Sequence, residues 1–172
     1  ERREKGILPL PASLGEALDA LEQSGDGLMP EAMRRPYIMH KRAEIAETTP
    51  GNPALHGWNS YSQCDEDGII RECLRLLATA APLSKTFIEV GCGNGLENNT
   101  HQLVLDGYRG CWVDGDPANI SQIAHELGTL ENESLLVRQA FVTLDNIADL
   151  MSELRGFLGT EQPDFFSFDT DG

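Results

Sequence analysis

The residues with the clearest chemical potential lie between Phe87 and Gly95, where the sequence reads Phe-Ile-Glu-Val-Gly-Cys-Gly-Asn-Gly. An apolar run suited to a buried parallel strand leads into glycines at alternate positions, Gly91, Gly93 and Gly95. Glycine is needed where the chain turns sharply and a ligand lies against bare backbone. The pattern predicts a strand that ends in a nucleotide-binding loop, and the alternative is an ordinary turn after a core strand.

The spacing of the glycines discriminates between ligand classes. A dinucleotide fingerprint requires Gly-x-Gly-x-x-Gly, but the sixth position counted from Gly91 is Leu96. Asp114 ends the next predicted strand, roughly 20 residues after Gly91, near the spacing at which an acidic residue accepts both ribose hydroxyls. Its alternative role is that of a solvated turn acid beside Gly115. An acidic pocket around Glu89 and Asp114 suits a cation better than a phosphate.

A second pair of acids follows the last predicted strand. Asp169 and Asp171 are one residue apart and therefore share a face, so they could position an acceptor hydroxyl, act as a general base or hold a metal. The alternative is that they cap a following helix. The histidines at positions 40, 56, 101 and 125 are not spaced as a metal set, and we expect His101 and His125 on helix surfaces.

Alternating strand and helix signals surround these residues. Strands are predicted at 87–90, 111–114, 135–138 and 165–168, and helices at 65–78, 99–106, 116–127 and 143–158, the last capped by Thr143. The first of these helices is expected to turn one face inward: Ile69, Ile70, Cys73, Leu74 and Leu77. Such alternation predicts a Rossmann-like three-layer α/β fold with a parallel sheet, whose ligand lies beyond the carboxyl ends of the strands.

The N-terminal part has a different organisation. Ser13-Leu-Gly-Glu16 is a capping box that predicts a helix to about residue 25, and a second helix is predicted from Pro36 to about residue 47. Residues 48–57 contain two prolines and two glycines and are interpreted as a linker. The predicted domains are therefore a helical segment at 1–47 and an α/β domain at 58–172.

Composition limits the partners and the location. The formal net charge is −15 and the pI is about 4.5, which argues against an electrostatic grip on nucleic acid or an anionic membrane. No apolar run approaches the roughly 20 residues of a membrane span. The four cysteines contain no Cys-x-x-Cys pair and are interpreted as reduced, buried thiols of a cytoplasmic protein.

Four stretches in order resemble the FkbM-type class I methyltransferases, which use S-adenosylmethionine (SAM): Tyr61-Ser-Gln-Cys-Asp-Glu-Asp-Gly68, residues 87–100, Gly107-Tyr-Arg-Gly-Cys-Trp-Val-Asp114 and Asp164-Phe-Phe-Ser-Phe-Asp-Thr-Asp-Gly172. The resemblance implies the strand order 3-2-1-4. It also implies that Glu89, Gly91, Gly93 and Gly95 hold the methionine part of SAM and that Asp114 binds the ribose. Further contacts at the rim are implied for Gln63, Asn98 and Asn99.

The implied activity is transfer of a methyl group, by in-line displacement, from SAM to the hydroxyl oxygen of a small molecule or sugar. The resemblance ends before the last strands of that sheet, so we expect residues 1–172 alone to self-associate through the open edge strand at 165–168 and to show no methyl transfer. A non-catalytic domain that binds a nucleoside or a protein partner is the alternative.

The first 45 or so residues resemble the C-terminal tail of glutamine synthetases, through Glu1-Arg-Arg-Glu-Lys-Gly-Ile and the run from Leu10 to Glu22. In that family the tail is helical packing and the ligand-binding residues lie upstream, so no glutamine synthetase site residue is implied here. A fused remnant of such a synthetase is a further alternative for the chain.

Overall fold

The structure is a computed structural model that describes residues 31–128 and 133–169. The chain divides into two compact units, Glu1–Pro50 and Gly51–Gly172. In the first unit, helix α1 spans Glu31–Thr48, and the helix predicted at 13–25 lies outside the described residues. The predicted start of α1 is wrong, because Pro36 lies inside the helix instead of in its first turn. The helix therefore continues through a residue that has no N–H to donate.

The second unit contains the α/β fold. Its first element is a 3-10 helix at Pro53–His56, so the predicted linker is ordered in its second half. The remaining elements alternate along the chain in the predicted way: α2 Glu66–Ala80, β1 Thr86–Val90, α3 His101–Leu105, β2 Arg109–Asp114, α4 Pro117–Glu126, β3 Leu135–Gln139, α5 Ile147–Leu158 and β4 Phe165–Phe168.

The four strands form one parallel sheet in the order β3-β2-β1-β4, which confirms the predicted fold class. Glu89 on β1 lies opposite Trp112 on β2, and Val90 lies opposite Phe168 on β4. All five residues of β1 are buried because it is a central strand covered on both faces. In the described sheet β4 is an edge strand, and the side chain of Phe168 is exposed there.

Alternate residues of β1 and β2 build two cores on opposite faces of the sheet. Phe87 and Trp112 belong to the first core, which also contains residues of α2, α3 and α4. Ile88 and Val113 belong to the second, which contains the buried leucines of α5. The period-two alternation of a strand thus places helices on both faces and gives the three predicted layers.

One carboxylate joins β1 and β4 at the amino ends of the two strands, away from the Gly-rich loop at residues 91–96 that follows β1. Asp164, just before β4, accepts hydrogen bonds from the backbone amides of Ser84 and Thr86 at 3.2 and 2.9 Å. The Asp164 amide in turn donates to the Thr86 carbonyl at 3.0 Å. These bonds set the register in which β1 and β4 begin.

Two helix starts were predicted too early. Helix α3 begins at His101, because the preceding turn is held on β1 by Glu89, whose oxygens accept from the Asn99 amide and the Thr100 hydroxyl. Helix α5 begins at Ile147 and not near Thr143, because residues 143–146 form a turn in which the Thr143 amide donates to the Asn146 side chain at 2.8 Å.

Two burial predictions are also wrong. Leu77 on α2 is exposed, because the last turn of that helix extends beyond its packed part, whereas Ile70 and Leu74 are buried as predicted. Cys64 is exposed because it lies in the loop before α2, whereas Cys92 and Cys111 are buried thiols. Burial raises the pKa of both buried thiols. Within the described ranges, no helix has the length and apolarity that a membrane crossing requires.

Leu154→Ala should lower the free energy of unfolding by about 2–5 kcal/mol, because it leaves a cavity in the second core. The side chain is 0% exposed. Leu144, which is 96% exposed, provides the matched control, and Leu144→Ala should have almost no effect. Urea unfolding followed by circular dichroism measures both. A loss below 1 kcal/mol at Leu154 would contradict the described packing of α5 on the sheet.

Candidate functional site

The glycines of the Gly-rich loop, residues 91–96, are required for three different physical reasons. All three have positive φ angles, 85° at Gly91, 58° at Gly93 and 76° at Gly95. A Cβ on Gly91 would lie 1.5 Å from the carbonyl oxygen of Asp169, whereas one on Gly95 would press on Trp112 at 2.9 Å. A Cβ on Gly93 would meet nothing within 4 Å, so only its φ and the space in front of it require glycine.

Most of the backbone amides of this loop donate to acceptors within the protein. Gly91 and Cys92 both donate to the carbonyl oxygen of Val113, at 2.8 and 3.2 Å. Gly95 donates to the Cys92 carbonyl at 3.1 Å, and Leu96 donates to the Asn94 side chain at 3.0 Å. The loop is therefore folded on the end of β2 and on itself, and it differs from a phosphate-binding loop, which presents its N–H groups to the ligand.

Asp114 connects the loop to the end of β2. Its Oδ2 accepts from the Gly93 amide at 2.8 Å, and its Oδ1 accepts from the Asp116 amide at 2.8 Å and the Asn119 side chain at 3.0 Å. Each carboxylate oxygen has two lone pairs, so Oδ2 retains the capacity to accept one further hydrogen bond. The carboxylate is mostly buried and lies between the Gly-rich loop and the start of α4.

Glu89 lies beneath the loop and is only 1% exposed. Its Oε1 accepts from the Asn99 amide at 3.1 Å and its Oε2 accepts from the Thr100 hydroxyl, which in turn accepts from the Trp112 indole at 2.8 Å. Burial raises the pKa of Glu89 and outweighs the hydrogen bonds that lower it. Through its hydrogen bonds to Asn99 and Thr100, Glu89 fixes the turn at 98–100 against the sheet.

The two asparagines of that turn make structural contacts. Asn98 is buried, and its Oδ1 accepts from the His101 amide at 2.8 Å. Asn99 donates from its side chain to the Ser167 hydroxyl at 3.2 Å and so connects the turn to β4.

His101 was predicted on a helix surface, and this is wrong. It is buried, its ring stacks on Tyr61 with centroids 4.1 Å apart, and its Nδ1 lies 2.6 Å from the Gly95 carbonyl oxygen. It occupies the first turn of the short helix α3, which faces the Gly-rich loop. The exposed position predicted for His125 is confirmed.

A cleft of about 880 Å³ opens at the carboxyl ends of the strands. Its walls come from the ends of all four strands, the start of α4 and the loop before α2. The lining residues are Gln63, Val90, Gly91, Gly93, Glu97, Val113, Asp114, Gly115, Asp116, Asn119, Ala140, Phe141, Val142, Phe168 and Asp169. Four of them are carboxylates, and none of these residues is lysine, arginine or histidine.

The cleft brings together five of the residues singled out in the sequence: Gln63, Gly91, Gly93, Asp114 and Asp169. Glu89, Gly95, Asn98 and Asn99 are not among its lining residues, and their contacts are with the loop, the core and the sheet. Asp171 lies outside the described residues. Among residues 31–128 and 133–169, no group of three or more His, Cys, Asp or Glu side chains is arranged to hold a metal ion.

Sequence reasoning missed several lining residues. Phe141 is 79% exposed, and its ring lies against Gly115. A Cβ added to Gly115 would lie 3.0 Å from that ring. Phe141 lies two residues after the end of β3, so its position after a predicted strand was an available signal. Asn119 and Glu97 had no comparable signal: Asn119 lies in the first turn of α4 and Glu97 in the segment between the Gly-rich loop and α3, and neither position marks a strand end.

A comparison of the chain with models of known protein families and with curated protein sequences finds no match. A function for the cleft is therefore inferred from its lining residues and from the geometry of the Gly-rich loop.

Glu89→Gln tests the ionisation of the buried carboxyl. Because the folded-state pKa of Glu89 is raised, its stabilising contribution is complete below the unfolded pKa and is lost as the pH rises through the folded pKa. The free energy of unfolding of the wild type minus that of the variant should therefore fall as the pH rises above the ordinary range of a glutamate, about pH 4. Urea unfolding at each pH measures this difference.

The same substitution at the exposed Glu126 is the matched control for loss of one negative charge. A difference between wild type and Glu89→Gln that rises with pH would contradict the effect of burial.

Proposed function

We propose that this chain is the cofactor-binding domain of a SAM-dependent methyltransferase of the FkbM type, which methylates the hydroxyl oxygen of a small molecule or sugar. Two observations together carry the proposal: most amides of the Gly-rich loop donate within the protein, and the cleft beside the loop is lined by carboxylates. This combination lies beyond the carboxyl ends of a parallel Rossmann-like sheet, where such folds bind nucleotides.

Phosphate ligands fit this cleft poorly. A pyrophosphate is normally bound by free backbone N–H groups at a helix start, but here the amides of Gly91, Cys92 and Gly93 already donate to Val113 and Asp114. The lining carboxylates would also repel the phosphate charges, and none of the lining residues carries a compensating positive charge. NAD, NADP and nucleoside phosphates are therefore disfavoured as ligands.

SAM fits the same features. It carries a sulfonium and an ammonium group against one carboxylate, so its net charge is positive and a negative cleft attracts it. Gly91 and Gly93 leave bare backbone for the methionine part, and the open lone pair of Asp114 Oδ2 can accept from a ribose hydroxyl. Ala140, Phe141 and Val142 supply an apolar wall on which an adenine ring can pack.

The protein's contribution to methyl transfer would be alignment. SAM supplies a methyl group that its sulfonium centre already activates for displacement. Asp169 lines the cleft at the end of β4, and its backbone is held by its amide, which donates to the Val90 carbonyl at 2.8 Å. From that position its carboxylate can take the proton of an acceptor hydroxyl as a general base. The same role for Asp171 stays a prediction.

Asp114→Ala should weaken SAM binding by about 1.5–3 kcal/mol, because a charge-assisted acceptor for the ribose is lost. Calorimetry with SAM measures the affinity, and NAD, which should not bind the wild type, tests the ligand class. Glu161→Ala removes an exposed acid that precedes β4 and provides the charge-matched control. Equal SAM affinity in wild type and Asp114→Ala would refute the ribose assignment.

Gly93→Val should abolish SAM binding while the domain stays folded. The added side chain meets no protein atom within 4 Å, but it enters the cleft and resists the positive φ. Gly107→Val is a close control, because Gly107 also has a positive φ of 80° and open space, but it lies between α3 and β2 away from the cleft lining. If both variants bind SAM, the loop has only a structural role.

A further inference from the structure

Gln63 differs from the other cleft residues in the element that carries it. It belongs to the loop at 58–65, which precedes α2, and not to a strand end or to the Gly-rich loop. A side chain on such a loop contributes fully to ligand affinity only if the loop backbone is already fixed, because ordering a mobile residue on binding costs conformational entropy. In this structure, specific hydrogen bonds fix the backbone of that loop.

The acceptor of these bonds is the carboxylate of Asp67, in the first turn of α2. Its Oδ2 accepts hydrogen bonds from three successive backbone amides, Ser60 at 2.6 Å, Tyr61 at 2.8 Å and Ser62 at 3.1 Å. The Asp67 amide donates back to the Ser62 hydroxyl at 3.1 Å. Asp67 is only 2% exposed, so these bonds form away from bulk solvent.

The charge state of Asp67 agrees with this geometry. Burial raises its pKa, but the hydrogen bonds from the three amides more than offset that effect, and the pKa is lowered overall. The carboxylate is therefore ionised near neutral pH, and its bonds to the loop are charge-assisted.

The next residue brings the same loop against the helix. The Gly68 amide donates to the Trp58 carbonyl at 3.0 Å. A Cβ on Gly68 would lie 2.2 Å from the His56 carbonyl oxygen and 2.5 Å from the Trp58 amide nitrogen. No side chain fits there, so the start of α2 and the loop are in direct backbone contact.

The other side of the loop contacts the Gly-rich loop. Tyr61 stacks on the buried ring of His101 with an interplanar angle of 4°, and the His101 Nδ1 contacts the Gly95 carbonyl oxygen. The backbone that Asp67 holds, residues 60–62, therefore lies between α2 and the Gly-rich loop. It immediately precedes Gln63, whose side chain reaches the cleft.

We propose that Asp67 is a positioning residue, which holds the backbone of residues 60–62 so that Gln63 lies at the rim of the cleft and contacts bound SAM. The inference rests on the proposed function for its ligand and on the structure for its geometry. Asp67 touches neither the cleft nor the ligand and acts only through Gln63.

A double-mutant cycle on the full chain tests this relation. Gln63→Ala should weaken SAM binding roughly 2- to 12-fold, the range for loss of one neutral hydrogen bond. Asp67→Asn keeps the side-chain volume but removes the charge, and it should weaken binding measurably, by no more than Gln63→Ala does; unchanged affinity would overturn the positioning role. The double variant should bind SAM as Gln63→Ala does, because Asp67 then has nothing left to position. Calorimetry gives the three affinities.

Hydrogen–deuterium exchange without SAM tests the loop anchoring separately. Peptides covering residues 58–64 should exchange roughly tenfold faster in Asp67→Asn, because three charge-assisted bonds become weaker neutral ones. Asp106→Asn is the matched control, since Asp106 also touches α2, through Arg71 at 3.8 Å, and its removal should leave those peptides unchanged. If Asp67→Asn does not fold, Tyr61→Leu replaces it, because loss of the stack on His101 should release the same loop.

The outcomes separate the two hypotheses. A wild type that binds no SAM overturns the proposed function and the ligand role of Gln63, while the exchange data still decide whether Asp67 holds the loop. A wild type that binds SAM with additive losses in the cycle overturns only the positioning role. Unchanged SAM affinity in Gln63→Ala would also overturn the positioning role of Asp67, because Gln63 would then not contact the ligand.

Discussion

The hydrogen bond from the Gly93 amide to Asp114 is the constraint on which the rest of the site depends. It joins the loop after β1 to the end of β2, and the second oxygen of the same carboxylate extends the connection to α4. Because β1 and β2 are paired in parallel register, the loop takes its position from the sheet. The cleft is therefore fixed by secondary structure, and the ligand does not have to order it.

Further contacts hold the backbone segments around the Gly93–Asp114 hydrogen bond. Glu89 holds the turn at 98–100 from below, and Asp67 holds the loop at 58–65 from the side. The stack of Tyr61 on His101 connects the loop at 58–65 to α3, and His101 in turn contacts the Gly95 carbonyl of the Gly-rich loop. Two residues that line the cleft, Gln63 and Gly93, are thus carried by backbone that a mostly buried carboxylate holds, Asp67 and Asp114 respectively.

The sequence predicted the sheet well because apolar strands, glycines at alternate positions and helix caps are local signals. Asp116 at the cap of α4 and the bounds of β4 were correct for that reason. The failures came from tertiary contacts. Helix periodicity alone could not show that the last turn of α2 is exposed, and no local pattern indicates that His101 packs under Tyr61. Glu89 was chosen for its place in a motif, yet its partners lie ten residues further along the chain.

The acidic side chains that hold this fold together share one property: Asp67, Glu89, Asp114 and Asp164 all accept from backbone amides. Every residue except proline has a backbone N–H, so most changes at the partner position do not alter the bond. Selection can then preserve each acid without any compensating change elsewhere. In a family that keeps this architecture, these acids would be constant while the partner positions that have no second role vary freely, and methods that find contacts from correlated substitutions would miss the interactions that define the site.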